Sequence, residues 1–268
     1  MSQPVAAWRP PLLWRALLVV ARVVVVALGR MRVTGDVPAH LRRGPLVLAV
    51  NHVSPFDPVV LAAACQTRRV APRIMATGGL FTAPLVGVLM RMCGHIRVDR
   101  GRATVTQALY TAAAAVAEGS VVAGYPEGRI GLDPGLWPER GKTGLARLAL
   151  ASGATVVPVA LWGPHEVLPY ATPKGLVRSV LRAVRRRPVV RVAFGVPVDL
   201  GGLSASRTGD ALRATDRILD AIVVTLRPLR RDEPQAPRYV DPTRPTSTAR
   251  SRPLPGQDRP PAQDPPPG

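Results

Sequence analysis

Pro45-Leu46-Val47-Leu48-Ala49-Val50-Asn51-His52-Val53-Ser54-Pro55-Phe56-Asp57-Pro58 decides how this chain is read. Residues 45–50 are apolar without alternation, the pattern of a strand covered on both faces. A polar turn follows, and Pro58–Cys65 reads as a helix. Outward from this unit, helices are predicted at Phe81–Cys93, Thr104–Glu118 (stopped by Gly119), Thr143–Ala151 (stopped by Gly153) and Ala211–Leu226. Strands are predicted at His95–Val98, Val121–Tyr125, Thr155–Leu161 and Pro188–Phe194. Alternation of this kind predicts one α/β domain with a largely parallel or mixed sheet flanked by helices. Its site belongs on the loops after the strands.

Both ends of the chain differ from this middle. Trp8 to Leu28 is apolar, interrupted by Arg15 and Arg22, which lie seven apart and share a helix face with Arg30. Arg22 makes a spanning helix costly. Residues 1–30 are therefore read as a helix lying in a membrane interface, sinking Leu12, Leu13, Leu17, Val20, Val24 and Leu28, with Trp8 and Trp14 at headgroup level. The competing reading of the same periodicity is a helix packed on the protein's own core. Residues 231–268 hold 11 prolines and no hydrophobic period, which predicts an extended or disordered tail. The catalytic domain is then 31–230.

Composition narrows the function. The 268 residues carry 36 Lys+Arg against 17 Asp+Glu, a formal charge of +19, and are 47% hydrophobic, which excludes a fully disordered chain. All the basic residues except Lys142 and Lys174 are arginines. The tail holds six arginines and five acids, so the charge belongs to the domain. A basic surface favours anionic partners, here a membrane surface; nucleic acid is not expected, because 4% aromatic content offers few stacking platforms. Cys65 and Cys93 make neither a disulfide framework nor a zinc pair and read as core residues in a reducing compartment.

Three segments carry candidate chemistry. His52 titrates near neutrality, and Asp57, one turn on, can hold the ring's other nitrogen, leaving the first to accept a proton. With no nucleophilic serine or cysteine presented beside it, such a pair would activate a substrate hydroxyl for direct acyl or phosphoryl transfer. On this segment alone, Asp57 as a helix N-cap and His52 as a loop histidine stand equally open. Gly124-Tyr125-Pro126-Glu127-Gly128-Arg129 closes another strand, with glycines for close approach and an arginine for phosphate; a surface turn uses the same residues. Gly94-His95-Ile96-Arg97-Val98-Asp99-Arg100 adds a basic cluster. His95 and His165 lack partners at ligand spacing and read as structural. Arg178–Arg187 reads as a solvated face, or as a contact for headgroups or donor phosphates.

Taken in order, Asn51-His52-x4-Asp57, Gly94-x-Ile96-x-Val98-Asp99-Arg100, Tyr125-Pro126-Glu127-Gly128 and Val156-Val157-Pro158-Val159 resemble the blocks of the bacterial 1-acylglycerol-3-phosphate acyltransferase family over roughly residues 30–200. Leu136-Trp137-Pro138 to Gly141-Lys142-Thr143-Gly144 resembles its actinobacterial branch. The resemblance implies that His52 is the general base and Asp57 its orienting carboxylate. It places Arg100, Glu127 and Gly128 at the acceptor's glycerol phosphate, with Arg129 reaching the same phosphate. Pro158 falls in an apolar structural or acyl-binding block. The implied reaction moves an acyl chain from acyl-CoA or acyl-carrier protein to a lysophospholipid acceptor, giving phosphatidic acid, with no metal and no organic cofactor. The implied place is the cytoplasmic face of the cell membrane, monotopic or peripheral. Two positions depart from the family: Tyr125 stands for its Phe, and Arg129 for its Thr. Other lysolipid acceptors, or a non-enzymatic basic membrane- or nucleic-acid-binding module, are the alternatives.

Overall fold

The structure, a computed structural model, describes residues 8–42, 44–99, 102–171 and 175–256. Its elements run α1 (Leu12–Leu28), β1 (Arg30–Thr34), β2 (Leu46–Val50), α2 (Asp57–Thr67), β3 (Arg73–Thr77), α3 (Gly78–Thr82), α4 (Val86–Met92) and β4 (Ile96–Val98). They continue with α5 (Arg102–Ala117), β5 (Val121–Gly124), α6 (Gly144–Ser152), β6 (Thr155–Trp162), α7 (Pro164–Val167), α8 (Leu176–Arg186), β7 (Val189–Phe194) and α9 (Asp210–Leu226). Seven strands form one sheet in the order β1-β7-β6-β2-β5-β3-β4. The pairings are parallel except β6 with β7, so the sheet is mixed but mostly parallel.

The quoted stretch sits at the centre of this sheet. β2 pairs with β5 on one side and β6 on the other, and all five of its residues are buried. Its alternate residues feed two cores: Leu46, Leu48 and Val50 pack with α1 and α2, while Val47 and Ala49 face α5, α6 and α9. That is why the run shows no polar alternation. Gly153 caps α6 in the left-handed conformation, as its place in the sequence predicts.

Besides α7 and α8, which were not predicted, the structure departs from expectation in four places. The predicted helix Phe81–Cys93 is two helices, α3 and α4. Pro84 disfavours a helical residue before it, and Ala83 is extended (ψ 133°). Leu85 then takes a positive φ of 60°, and the two short helices fold against each other, the Phe81 carbonyl only 2.1 Å from where a Cβ on Gly87 would lie. Secondly, β1 and β3 were not predicted: Arg-Met-Arg-Val-Thr and Arg-Ile-Met-Ala-Thr are short and interrupted by arginines, and β1 lies on the sheet edge where polar side chains are tolerated.

Thirdly, α1 is part of the domain. Trp14, Leu18, Ala21 and Val25 are buried in the core shared with α2, and the Trp14 indole donates to the Pro72 carbonyl at 3.1 Å. Trp14 therefore does not mark a headgroup level, and the outward apolar residues are Leu12, Val19, Val20, Val23 and Val26. The face expected to sink into lipid is rotated, because burial follows the Trp14-Leu18-Ala21-Val25 stripe at i, i+4, i+7. Lastly, residues 231–256, expected to lie extended or disordered, carry no strand or α-helix yet run tied along the domain. Ser247 N donates to Leu132 O (2.9 Å), Arg140 N to Arg250 O (2.8 Å), and Ser251 Oγ to Asp133 Oδ2 (2.6 Å). Proline blocked regular structure, but arginine and serine side chains found partners that an apolar count does not register.

Candidate active site

β2 ends by handing its hydrogen bonding to a side chain. β6 runs three residues beyond the last β2 pairing, and Asn51 bridges the gap: Leu161 N donates to Asn51 Oδ1 (2.7 Å) and Asn51 Nδ2 donates to Leu161 O (3.0 Å). The next residue, His52, is thereby fixed at the sheet's C-terminal edge. Its Nδ1 lies 2.7 Å from Asp57 Oδ2. That oxygen also accepts from Val53 N (2.6 Å) and Ser54 N (2.8 Å). Asp57 is fully buried and is the first residue of α2, so its carboxylate reaches backwards over the turn and does not cap the helix in the usual forward sense. The His52 ring is 16% exposed and stacks on Tyr125, centroids 4.1 Å apart at 20°. Tyr125 keeps the aromatic platform its position calls for.

Glu127 sits behind the His52 loop. It is 1% exposed, and both carboxylate oxygens are taken by backbone: Oε1 accepts from His52 N (2.9 Å) and Oε2 from Glu139 N (3.0 Å). Burial pushes its carboxyl up to about 8, against the two amide bonds, which pull down; Glu139 and Asp57 push the same way as burial. Glu127 is therefore a positioning residue that clamps the His52 loop to the 125–139 loop. Gly128 is the turn behind it, with a φ of 69° that only glycine adopts freely. Arg129 is engaged by a carboxylate: its guanidinium forks onto buried Glu139, Nη2 to Oε2 at 3.0 Å and Nε to Oε2 at 3.3 Å. Arg100 lies outside the described residues. Pro158 is buried within β6 beside Ala49 of β2.

Three groups at the site were not anticipated. Glu139 anchors Arg129 and accepts from Leu132 N (3.0 Å). Arg244 donates from Nη1 to Val53 O at 2.7 Å and from Nη2 to Gly131 O, while Gly131 N donates to His52 O at 2.9 Å. Arg250 donates to Glu127 O at 3.2 Å. The last two come from the proline-rich segment, where an isolated arginine carries no periodic signal. His95 and His165 are structural, as read. The His95 Nδ1 accepts from Ile74 N (3.1 Å), and burial, then Arg73, lowers its pKa to about 4. His165 lies tilted against Trp162, centroids 4.7 Å apart at 58°, and burial, then Arg244 and Arg230, lowers its pKa to about 3. Cys65 and Cys93 are buried and unpaired.

Chemically, a buried carboxylate on Nδ1 leaves the far nitrogen of a partly exposed imidazole to take a proton, and stabilises the imidazolium that results.

Comparison with known proteins bears on this arrangement. An acyltransferase family model matches residues 30–162, which run from β1 through β6. An uncharacterized protein of Mycobacterium leprae is 27% identical over 228 residues, 74% of this chain and 59% of its own length. The chloroplastic 1-acyl-sn-glycerol-3-phosphate acyltransferase BAT2 of Brassica napus is 27% identical over 157 residues, 58% of this chain and 43% of that protein. The chain thus spans about three-fifths or less of the length of these curated relatives. The crystal structure of the 1-acyl-sn-glycerophosphate acyltransferase PlsC from Thermotoga maritima superposes with a TM-score of 0.56 at 19% identity, covering 85% of this chain and 81% of that one. At that identity the likeness shows the fold.

Proposed function

We propose that this chain, whose residues 30–162 match an acyltransferase family model, transfers an acyl chain from a thioester, acyl-CoA or acyl-carrier protein, to the free hydroxyl of a 1-acylglycerol-3-phosphate. The observation that carries the reading is the His52–Asp57 contact, 2.7 Å, with the carboxylate oxygen pinned by two further amides. In this reaction His52 Nε2 takes the proton of the acceptor hydroxyl as its oxygen attacks the thioester carbon. The carbon–sulfur bond breaks, and the departing thiolate takes the proton back from His52. Asp57 orients the ring and stabilises its cationic form between those steps. Glu127 keeps His52 N fixed, so the ring does not drift from the attacking oxygen; a small displacement there is costly.

The acceptor's phosphate is the less constrained part. With Arg129 engaged by Glu139, a lysolipid with a different headgroup remains a second reading of the same chemistry. The reaction belongs at a membrane surface, where acceptor and product reside. Exposed apolar side chains support this: Leu12, Val19 and Val23 on α1, and Leu85, Val88 and Met92 around α4. No helix among the described residues is long and apolar enough to cross a membrane.

The test is acyl transfer by the purified chain with vesicles carrying lysophosphatidic acid, or another lysolipid, and a labelled acyl thioester. Product should form with lysophosphatidic acid and disappear in His52→Ala at unchanged thermal midpoint. Turnover equal to the parent in that variant sinks the general-base assignment.

A further inference from the structure

A recess of about 300 Å³ opens where β6 ends and β7 begins, at the same edge of the sheet as His52. Arg182 and Arg186 of α8, Arg191 of β7, Arg230 in the turn after α9 and Tyr239 of the C-terminal segment line it. With Arg30 and Arg238, arginines outnumber the lining acids Glu166, Asp232 and Glu233. The acids are unevenly used. Arg238 pairs with Glu233 at 3.3 Å and Asp232 at 3.9 Å. Among the described residues no carboxylate lies within 4.0 Å of a guanidinium nitrogen of Arg182, Arg186, Arg191 or Arg230.

Arg230 is the clearest sign that something is meant to bind. It is 1% exposed, and its guanidinium lies between two indoles, 3.8 Å from the Trp137 centroid and 4.2 Å from that of Trp162. Its Nε donates to Glu233 O at 3.1 Å, but Nη1 and Nη2 have no hydrogen-bond partner among the described residues. Arg182, whose guanidinium lies 5.2 Å from the Tyr239 centroid, likewise has Nε and Nη2 buried and unmet. Buried cationic donors without acceptors cost more than stacking on aromatic faces returns. An anion filling the recess would meet both groups at once. Guanidinium forks arriving from a helix, a strand and a turn suit a tetrahedral, multiply charged anion better than a planar carboxylate.

We propose that this recess is a phosphate-binding site, formed by Arg182, Arg191 and Arg230 and separate from the acceptor site at His52. The α7 segment links the two: the Ser54 hydroxyl, two residues from His52, lies 2.8 Å from Leu168 O and 3.3 Å from Pro164 O, where one hydrogen is donated or shared, and Glu166 of α7 lines the recess. A coenzyme phosphate held here would place a thioester arm toward His52. That assignment rests on the transferase reading; phosphate binding itself does not. An anionic lipid headgroup presents the same chemistry, and the experiment separates the two sources.

Isothermal titration of the full chain with inorganic pyrophosphate should give saturable binding that weakens with salt and persists in His52→Ala. Arg191→Gln and Arg230→Met should each weaken it about tenfold, the loss of one charged hydrogen bond. If Arg230→Met fails to fold by circular dichroism, Arg182→Gln takes its place. No saturable binding, or binding unchanged in Arg191→Gln and Arg182→Gln, overturns the site. Displacement of pyrophosphate by coenzyme A identifies the donor as occupant, and Arg191→Gln should then raise KM for acyl-CoA more than it lowers kcat. Displacement only by phosphatidylglycerol-containing vesicles, and not by phosphatidylcholine vesicles, identifies a headgroup. Intact pyrophosphate binding in a protein that transfers no acyl chain counts against the transferase reading and leaves the phosphate site standing.

Discussion

Asp57 Oδ2 sits 2.7 Å from His52 Nδ1 while accepting the backbone amides of Val53 and Ser54 at 2.6 and 2.8 Å. One oxygen therefore sets both the ring and the turn that carries it. Asp57→Asn keeps the shape but offers an amide where a charge was. Loss of acid–base function of this kind lowers turnover roughly 10²–10⁴-fold, and steady-state rates measured beside a thermal melt should show the fall in kcat exceeding any change in KM.

Glu127 acts at one remove from the reaction. Glu127→Gln presents an amide that can accept from only one of His52 N and Glu139 N, leaving the other buried amide unmet. A loss of about 1–3 kcal/mol in stability is expected by urea denaturation, together with lower kcat at little-changed acceptor KM. A raised acceptor KM with kcat intact would return Glu127 to the substrate.

Arg244 ties the C-terminal segment to the backbone on both sides of His52, at Val53 O and Gly131 O. Arg244→Ala should lower kcat and leave Val53–Gly131 less protected in hydrogen exchange, while Arg244→Lys restores only part because a single ammonium cannot span both carbonyls as a fork does. Equal activity and equal exchange in the alanine variant would reduce the segment to a passive cover.

Acid should destabilise the fold from about pH 6.5 downward. His165 and His95 titrate near 3 and 4 in the folded chain, against about 6.5 when unfolded. Between those values the unfolded chain binds more protons at these two sites, so their contribution is full above pH 6.5 and falls as pH drops; Glu127, raised to about 8, opposes them with one proton against two. Each histidine contributes a slope approaching 1.4 kcal/mol per pH unit. Urea midpoints at pH 7 and pH 5 should differ, and the difference should shrink in His165→Phe.

The strands at the heart of the sheet were legible because burial on two faces leaves an unbroken apolar run, as in Leu46–Val50 and Val121–Gly124. The His52–Asp57 pair was legible because its geometry is local, five residues across one turn. Other parts depended on contacts distant in sequence. Arg244 finds Val53 O from 191 residues away, and no window on the chain contains both. That Glu127 lies beside His52 followed from its motif, but which amides its oxygens meet depended on the fold. The α1 stripe was ambiguous because nearly all its side chains are apolar, so periodicity could not choose the buried face until Trp14 met Pro72.

β1 has one partner in the sheet, β7, and the Thr34 hydroxyl approaches the Val192 carbonyl 158 residues later. During synthesis at about 5–20 residues per second, Arg30–Thr34 leaves the ribosome roughly 8–30 s before its mate. A slow step in refolding, or a dependence on holding chaperones during translation, should therefore track substitutions in β1 and β7 while leaving those in β2 and β5 indifferent. The edge that pairs late is also where α8 and its arginines are carried, so the recess they line is completed only once Tyr239 has been synthesised.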